Sequence, residues 1–379
     1  MGKKQSLLLI ILNFALYISL GLPDSMIGAS WPVIQETFGF SVSFVSTITI
    51  IALCFSLISS LNYQHFAQKF SSHQIIFYSM ILIFIGLSLL WLAPNAYLFL
   101  LAIPFLGLGQ GAIDVAVNIL LAQKFSSRVM NFVHAFYGLG VTISSAISAL
   151  SIKLTQSFRL AVFILLTLHL IILIFYFIHR QLFDSPIEEE KHEDEEHEKL
   201  QAKHWLFPLF YFLYAVEQVF GLFIASYAVF LGKEPAYAAM LASIYWFCLM
   251  LGRFISGFII DYLKSESYLY LLLFISLIAS FLLYFNPLLA SGLLGLGFSG
   301  LYPTLMMLPH QYLPKHLANE IVNKNISAAV IGTLLLPVLC SQLIKFISFH
   351  TFPSFCLFFI LLLVINILFL VKFNKKVQI

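Results

Sequence analysis

Charge is scarce in this chain. Asp, Glu, Lys and Arg together make up 10% of its 379 residues, where a water-soluble globular protein carries about 25%. A chain so poor in charge has no means of covering itself with a hydrated surface. Cysteine is equally sparse: Cys54, Cys248, Cys340 and Cys356 all lie inside apolar runs, without metal-ligand spacing and without a secreted disulfide framework. No metal or other cofactor is expected. No HExxH, GxSxG or Walker-type motif occurs, which argues against the reading as a membrane-embedded enzyme or non-transporting sensor and against a nucleotide-driven pump. The net charge of +3 gives no reason to expect a nucleic-acid partner.

Apolar residues fill the space that charge leaves, at 61% of the chain. Roughly 20 helical residues cross a bilayer core. Twelve apolar blocks of about that length are bounded by polar breaks, near 6–34, 42–62, 74–93, 95–122, 130–152, 158–179, 204–231, 236–262, 267–285, 287–312, 322–348 and 352–373. Such long continuous runs predict helices, because barrel strands alternate over about 10 residues. The fold class expected is therefore an all-α polytopic membrane protein. The first block, although it follows a basic tip, carries no small-residue cleavage pattern around Gly21-Leu-Pro-Asp24 and reads as a span rather than a leader. With a cytoplasmic N-terminus, 16 of the 20 basic residues fall on the inner side, leaving Lys153, Arg159, Lys233 and Lys345 outside. The positive-inside rule thus predicts a multi-pass protein of the cell membrane with both termini in the cytoplasm.

Residues 182–203 break the apolar pattern, holding nine of the 17 acidic residues. They read as a solvated cytoplasmic linker between an N-terminal six-helix bundle, 1–181, and a C-terminal one, 204–379. The halves echo each other. Gly107-Leu-Gly109 recurs as Gly295-Leu-Gly297, 188 residues later, and Asp24 recurs as Glu217, 193 later. Repeated halves with a midplane site are a plan of secondary transporters, although each glycine at helical spacing is more simply explained by close helix packing. Pro23, Pro32, Pro104, Pro303 and Pro337 either interrupt their helices, freeing backbone carbonyls for kinks, or are simply tolerated as proline commonly is in membrane helices.

Three acids, Asp24, Asp114 and Glu217, sit well inside apolar blocks. An ionisable group there costs about 2.5–3.5 kcal/mol on insertion scales, so it should face a cavity or a partner. No cation lies deep enough in the sequence to neutralise them, Arg253 being the nearest. A carboxyl that takes up a proton on one side of a membrane and releases it on the other couples solute movement to the proton gradient. Gln110, Asp114 and Asn118 are spaced i, i+4, i+8 and share a helix face. Amides and carboxylates on one face suit a polyhydroxylated ligand, and Trp31, Tyr137, Tyr214, Tyr245 or Trp246 could stack on a sugar ring. His134, one turn into the fifth block, is a candidate titrating switch beside its plainer reading as a packing residue.

Together these features resemble the major facilitator superfamily, whose fold is twelve transmembrane helices in two six-helix bundles. The segment Gly252-Arg253-Phe-Ile-Ser-Gly257-Phe-Ile-Ile-Asp261 is similar to the second copy of its cytoplasmic turn motif. The first copy, Phe66-Ala-Gln-Lys69-Phe-Ser-Ser-His73, lacks the family's aspartate. Within the superfamily the pattern resembles the fucose–proton symporter group and the related sodium-dependent glucose transporters. Asp24 matches an acid of span one, Asp114 with Asn118 the acid and asparagine of span four, His134 with Gly138 and Gly140 the signature of span five, and Glu217 the acid of span seven. The resemblance implies that Asp24 and Asp114 handle substrate and proton while Arg253 and Asp261 latch an inner gate.

The expected function is secondary active transport of a small solute, a sugar or sugar-like compound, by alternating access with proton coupling; sodium is the alternative ion. The competing reading keeps the fold and exports hydrophobic or cationic compounds against protons. The partners implied are the solute, the ion and the lipid bilayer, with no oligomer required.

Overall fold

The computed structural model describes residues 3–124, 127–183, 200–259 and 262–374. Among them twelve helical stretches are long and apolar enough to cross a membrane. Their outward side chains explain the composition. On one helix, 159–179, Phe163, Leu170, Ile171, Ile174, Phe177 and Ile178 are all exposed, an apolar surface that lipid accepts and water does not.

The chain divides into two compact units. The first comprises Met1–Glu188 with Leu231–Ser243, and holds helices α1 (Lys3–Phe38), α2 (Phe44–Leu61), α3 (Tyr63–Ala67), α4 (Ser72–Leu92), α5 (Ala96–Lys124), α6 (Ser127–Thr155) and α7 (Arg159–His179). The second comprises Glu189–Phe230 with Ile244–Ile379. It contains α8 (Leu206–Tyr214), α9 (Val216–Phe230), most of α10 (Pro235–Ile259), α11 (Ser265–Leu282), α12 (Pro287–Ser299), α13 (Leu301–Tyr312), α14 (Lys315–Phe346) and α15 (Thr351–Asn374). The charged segment 184–199 lies outside the described residues.

Of the two readings of the prolines, tolerance within a continuing helix is the one observed. Helix α1 runs through Pro23 and Pro32, α5 through Pro104 and α14 through Pro337. In a tightly packed membrane bundle, neighbouring groups and local adjustment tolerate the lost backbone bond. Helical continuity instead fails at Ala215, between α8 and α9, and at Gly300, between α12 and α13. Pro303 stands just past the second break; no proline marks the first.

Inside each unit, glycines bring helix backbones together. In the first, Gly107 of α5 faces α2, where a Cβ would lie 3.1 Å from Phe55 Cβ, and Gly109 faces α4, 2.6 Å from the Ser79 carbonyl oxygen. In the second, Gly295 of α12 faces α10, 2.9 Å from Cys248 Cβ, and Gly297 faces α11, 2.9 Å from the Ser276 nitrogen. Gly140 of α6 meets the Ile18 backbone of α1, and Gly332 of α14 meets the Phe212 backbone of α8. The glycine echo in the sequence is thus an echo of packing: each copy wedges a helix against the equivalent pair of neighbours. Lipid tails are as apolar as leucine, so helix association in a bilayer relies on such close approach.

Serines add hydrogen bonds to the α1–α6 seam. Ser25 Oγ donates to the Val141 carbonyl at 2.6 Å, and Ser144 Oγ to the Leu22 carbonyl at 2.5 Å. Behind α1, fully buried His169 of α7 joins three helices. Its Nε2 lies 2.9 Å from the Met80 carbonyl of α4, which can only accept, so Nε2 carries the proton. Nδ1 then accepts from Ser19 Oγ at 2.6 Å.

Candidate functional site

Helix geometry turns two faces of the first unit toward each other. Tyr17 and Asp24 are seven residues apart on α1 and share a face; Gln110, Asp114 and Asn118 share one on α5 by their four-residue spacing. The two faces meet. Gln110 Nε2 donates to Asp24 Oδ1 and, at 3.1 Å, to the Leu20 carbonyl. The other Asp24 oxygen, Oδ2, accepts from the Tyr137 hydroxyl of α6. Two turns along, the Tyr17 hydroxyl lies 2.9 Å from Asn118 Oδ1 and 3.3 Å from Asp114 Oδ1, and Asn118 Nδ2 donates to Asp114 Oδ1 at 3.1 Å.

Two carboxylates are therefore held between α1, α5 and α6 by phenols and amides. Among the described residues, no lysine or arginine pairs with either. Both acids keep exposed surface. Neutral donors steady a carboxylate without cancelling its charge, so the group stays available to a proton, a cation or a hydroxyl. The backbone fixes this arrangement: Gly21 lies against α6 so closely that a Cβ would stand 2.5 Å from the Tyr137 carbonyl oxygen.

The second unit treats its acid differently. Glu217, 4% exposed, accepts from Arg253 Nη2 at 3.3 Å through Oε1. The expectation that no cation reaches the embedded acids is corrected here. Arg253 lies two helical turns inside α10, and its long side chain extends from there to α9, a reach that counting residues to the span end does not register. Tyr245 donates to the Glu217 carbonyl at 2.9 Å, and Tyr214 to the Phe298 carbonyl at 2.9 Å. The Tyr214 hydroxyl also hydrogen-bonds with the Glu217 and Arg253 side chains, while Trp31 is engaged elsewhere: its Nε1 donates to the Val42 carbonyl at 3.0 Å and its ring stacks on Phe40.

Of the residues singled out from sequence, Asp24, Gln110, Asp114 and Asn118 come together in one unit, while Glu217 and Arg253 pair in the other. The side chain of His134 and all of Asp261 lie outside the described residues, and with them the Arg253–Asp261 latch. Sequence reading missed Tyr17, whose signal was its place two turns before Asp24. It also gave Tyr137 a stacking role, whereas its hydroxyl engages Asp24. His169 was missed because a lone histidine in an apolar run has no distinguishing pattern.

Known proteins resemble this chain along most of its length. The family model of the Major Facilitator Superfamily matches residues 13–323. A glucose/mannose transporter, GlcP, of Bacillus subtilis (strain 168) is 23% identical over 344 residues, covering 85% of this chain and 84% of that protein. A solved structure of the E. coli fucose:proton symporter FucP superposes with a TM-score of 0.63 at 18% identity, over 97% of this chain and 98% of that one. The nucleoside transporter NupG superposes with a TM-score of 0.72 at 13% identity, over 98% and 99%. These structures share its fold. Twelve apolar helical stretches, paired glycine packing and a family match across most of the length lead to one conclusion: the chain belongs to the major facilitator superfamily and is a multi-pass membrane transporter, not an enzyme.

Proposed function

We propose that this transporter imports an uncharged sugar or sugar-like solute together with protons, and that Asp24 and Asp114 carry the coupling. The observation behind this reading is the pair of carboxylates on α1 and α5, inside spans, whose partners Tyr17, Gln110, Asn118 and Tyr137 are all neutral. An acid so placed loads and unloads a proton without breaking an ion pair, and its amide and phenol neighbours offer both donors and acceptors to hydroxyls. The near-full-length similarity to a glucose/mannose transporter supports a sugar as the solute.

In this reading residues 1–181 and 204–379 are the two halves of the carrier, tethered by the acidic segment 182–203, with both termini in the cytoplasm. Access to the carboxylates alternates between the two sides of the membrane. A solute can shift that exchange only by binding the two states unequally. Glu217, already balanced by Arg253, serves as a fixed charge and not as the coupling acid.

Uptake of D-glucose, D-mannose, L-fucose and D-xylose into proteoliposomes, with and without an imposed pH gradient, tests the proposal. An acidic exterior is expected to drive accumulation, and Asp24→Asn and Asp114→Asn to abolish it. Wild-type accumulation by both variants, or indifference to the gradient, overturns the coupling role; dye efflux without sugar uptake favours the exporter.

A further inference from the structure

One face of α10 carries two nitrogen donors that nothing in the described part of its unit accepts. Trp246 and Arg253 are seven residues apart and so stand on the same side of the helix, two turns from each other. Trp246 is 7% exposed, and its Nε1 is buried without a partner; Arg253 Nε is buried and unpaired as well. Both address a single stripe of α9. The indole edge lies over Gly221, where a Cβ would be 2.5 Å from Cζ2 and 3.0 Å from Cε2, the carbon bonded to the orphan nitrogen. Arg253 reaches Glu217, one turn before Gly221 on the same face. Natural interiors satisfy nearly all buried donors, so two orphans on one stripe call for an explanation.

The chemistry of the stripe selects its ligand. Both orphans donate, so the ligand brings acceptor oxygens. The positive charge of Arg253 is balanced by Glu217, so an anion gains no net attraction there. An indole also offers an apolar face to the C–H face of a ring. We propose that Trp246 is a specificity-determining residue whose indole N–H donates to an oxygen of an uncharged polyhydroxylated ring of the pyranose type. This rests on the sugar reading above and adds to it a donor on α10. Gly221 belongs to the same device, because any side chain there would push the ring off the stripe.

Isothermal titration of purified protein with D-glucose, D-mannose, L-fucose and the monodeoxy-D-glucose series, comparing wild type with Trp246→Phe, tests the assignment. Phenylalanine keeps a ring and removes the N–H. The variant is expected to bind about tenfold more weakly, the worth of one hydrogen bond. One deoxy sugar should lose affinity for wild type but none for the variant. Equal affinities of both proteins for every sugar overturn the role of Trp246 and leave the sugar reading standing. A wild-type protein that neither binds nor transports any of the sugars overturns both. Should Trp246→Phe fail to fold, wild type labelled with 15N-tryptophan decides: one of its four indole N–H signals is expected to shift as D-glucose is added, and four unmoved signals at saturation overturn the proposal.

Discussion

Gly21 and Tyr137 occupy one another's space: the missing Cβ of the glycine is what lets the backbone of the tyrosine lie against α1, and the same tyrosine reaches Asp24 three residues further on. Packing and chemistry are thereby joined at one point. Gly21→Ala should give a protein that inserts but transports poorly. An exposed helix gains up to about 1 kcal/mol from such a change, yet here overpacking of roughly 1–3 kcal/mol outweighs it. A lowered thermal midpoint together with lost uptake is the expected result, read by fluorescence-detected melting and proteoliposome flux.

Removing only the hydroxyl separates the two contributions. Tyr137→Phe keeps the ring in place and takes one donor from Asp24. A hydrogen bond to a charged group is worth about 1.5–3 kcal/mol, so the initial rate of coupled uptake should fall by at least about tenfold while the thermal midpoint stays near that of wild type. Uptake at the wild-type rate would remove Tyr137 from the coupling machinery.

The Glu217–Arg253 pair predicts a different phenotype. Taking away one member of a largely buried pair leaves an uncompensated charge, at a cost on the order of 3 kcal/mol. Glu217→Gln and Arg253→Met should each lower stability sharply, and the double substitution should recover part of the loss, giving a clear interaction term in a double-mutant cycle of thermal stability. Such proton dependence as survives in Glu217→Gln should match wild type, in contrast to Asp24→Asn.

His169 offers a purely structural counterpart. His169→Leu deprives Ser19 of its acceptor and the α1–α4–α7 junction of its link, and about 1–3 kcal/mol of stability should go with it. Ser19→Ala should be milder, because it removes one bond and leaves the Met80 contact. Melting curves in detergent check both.

How far the sequence disclosed this depended on the scale of the feature. Twelve spans were visible because each is a run of about 20 apolar residues, a signal that needs no neighbour to interpret it. The common face of Gln110, Asp114 and Asn118 was equally legible, since helical period alone puts the three side chains together. What lay hidden depends on pairing between distant segments. Tyr17 joins the acids only because α1 lies along α5, and Arg253 reaches Glu217 only because α10 lies along α9. The breaks at Ala215 and Gly300 also escaped notice, because no proline stands at the first and neither residue type distinguishes a break from ordinary helix packing.

The matched glycine seams have a consequence for how such a carrier changes its cargo. Close backbone approach at Gly107 and Gly295, and at Gly140 and Gly332, sets the spacing of the helices, with serine hydroxyls adding hydrogen bonds at the α1–α6 seam. Polar side chains away from those seams are then free to vary without disturbing the packing. One unit holds its acids with neutral partners and the other pairs its acid with a guanidinium, over equivalent glycine packing in both. A fold whose helices are spaced by its smallest residues leaves its larger polar side chains available for exchange.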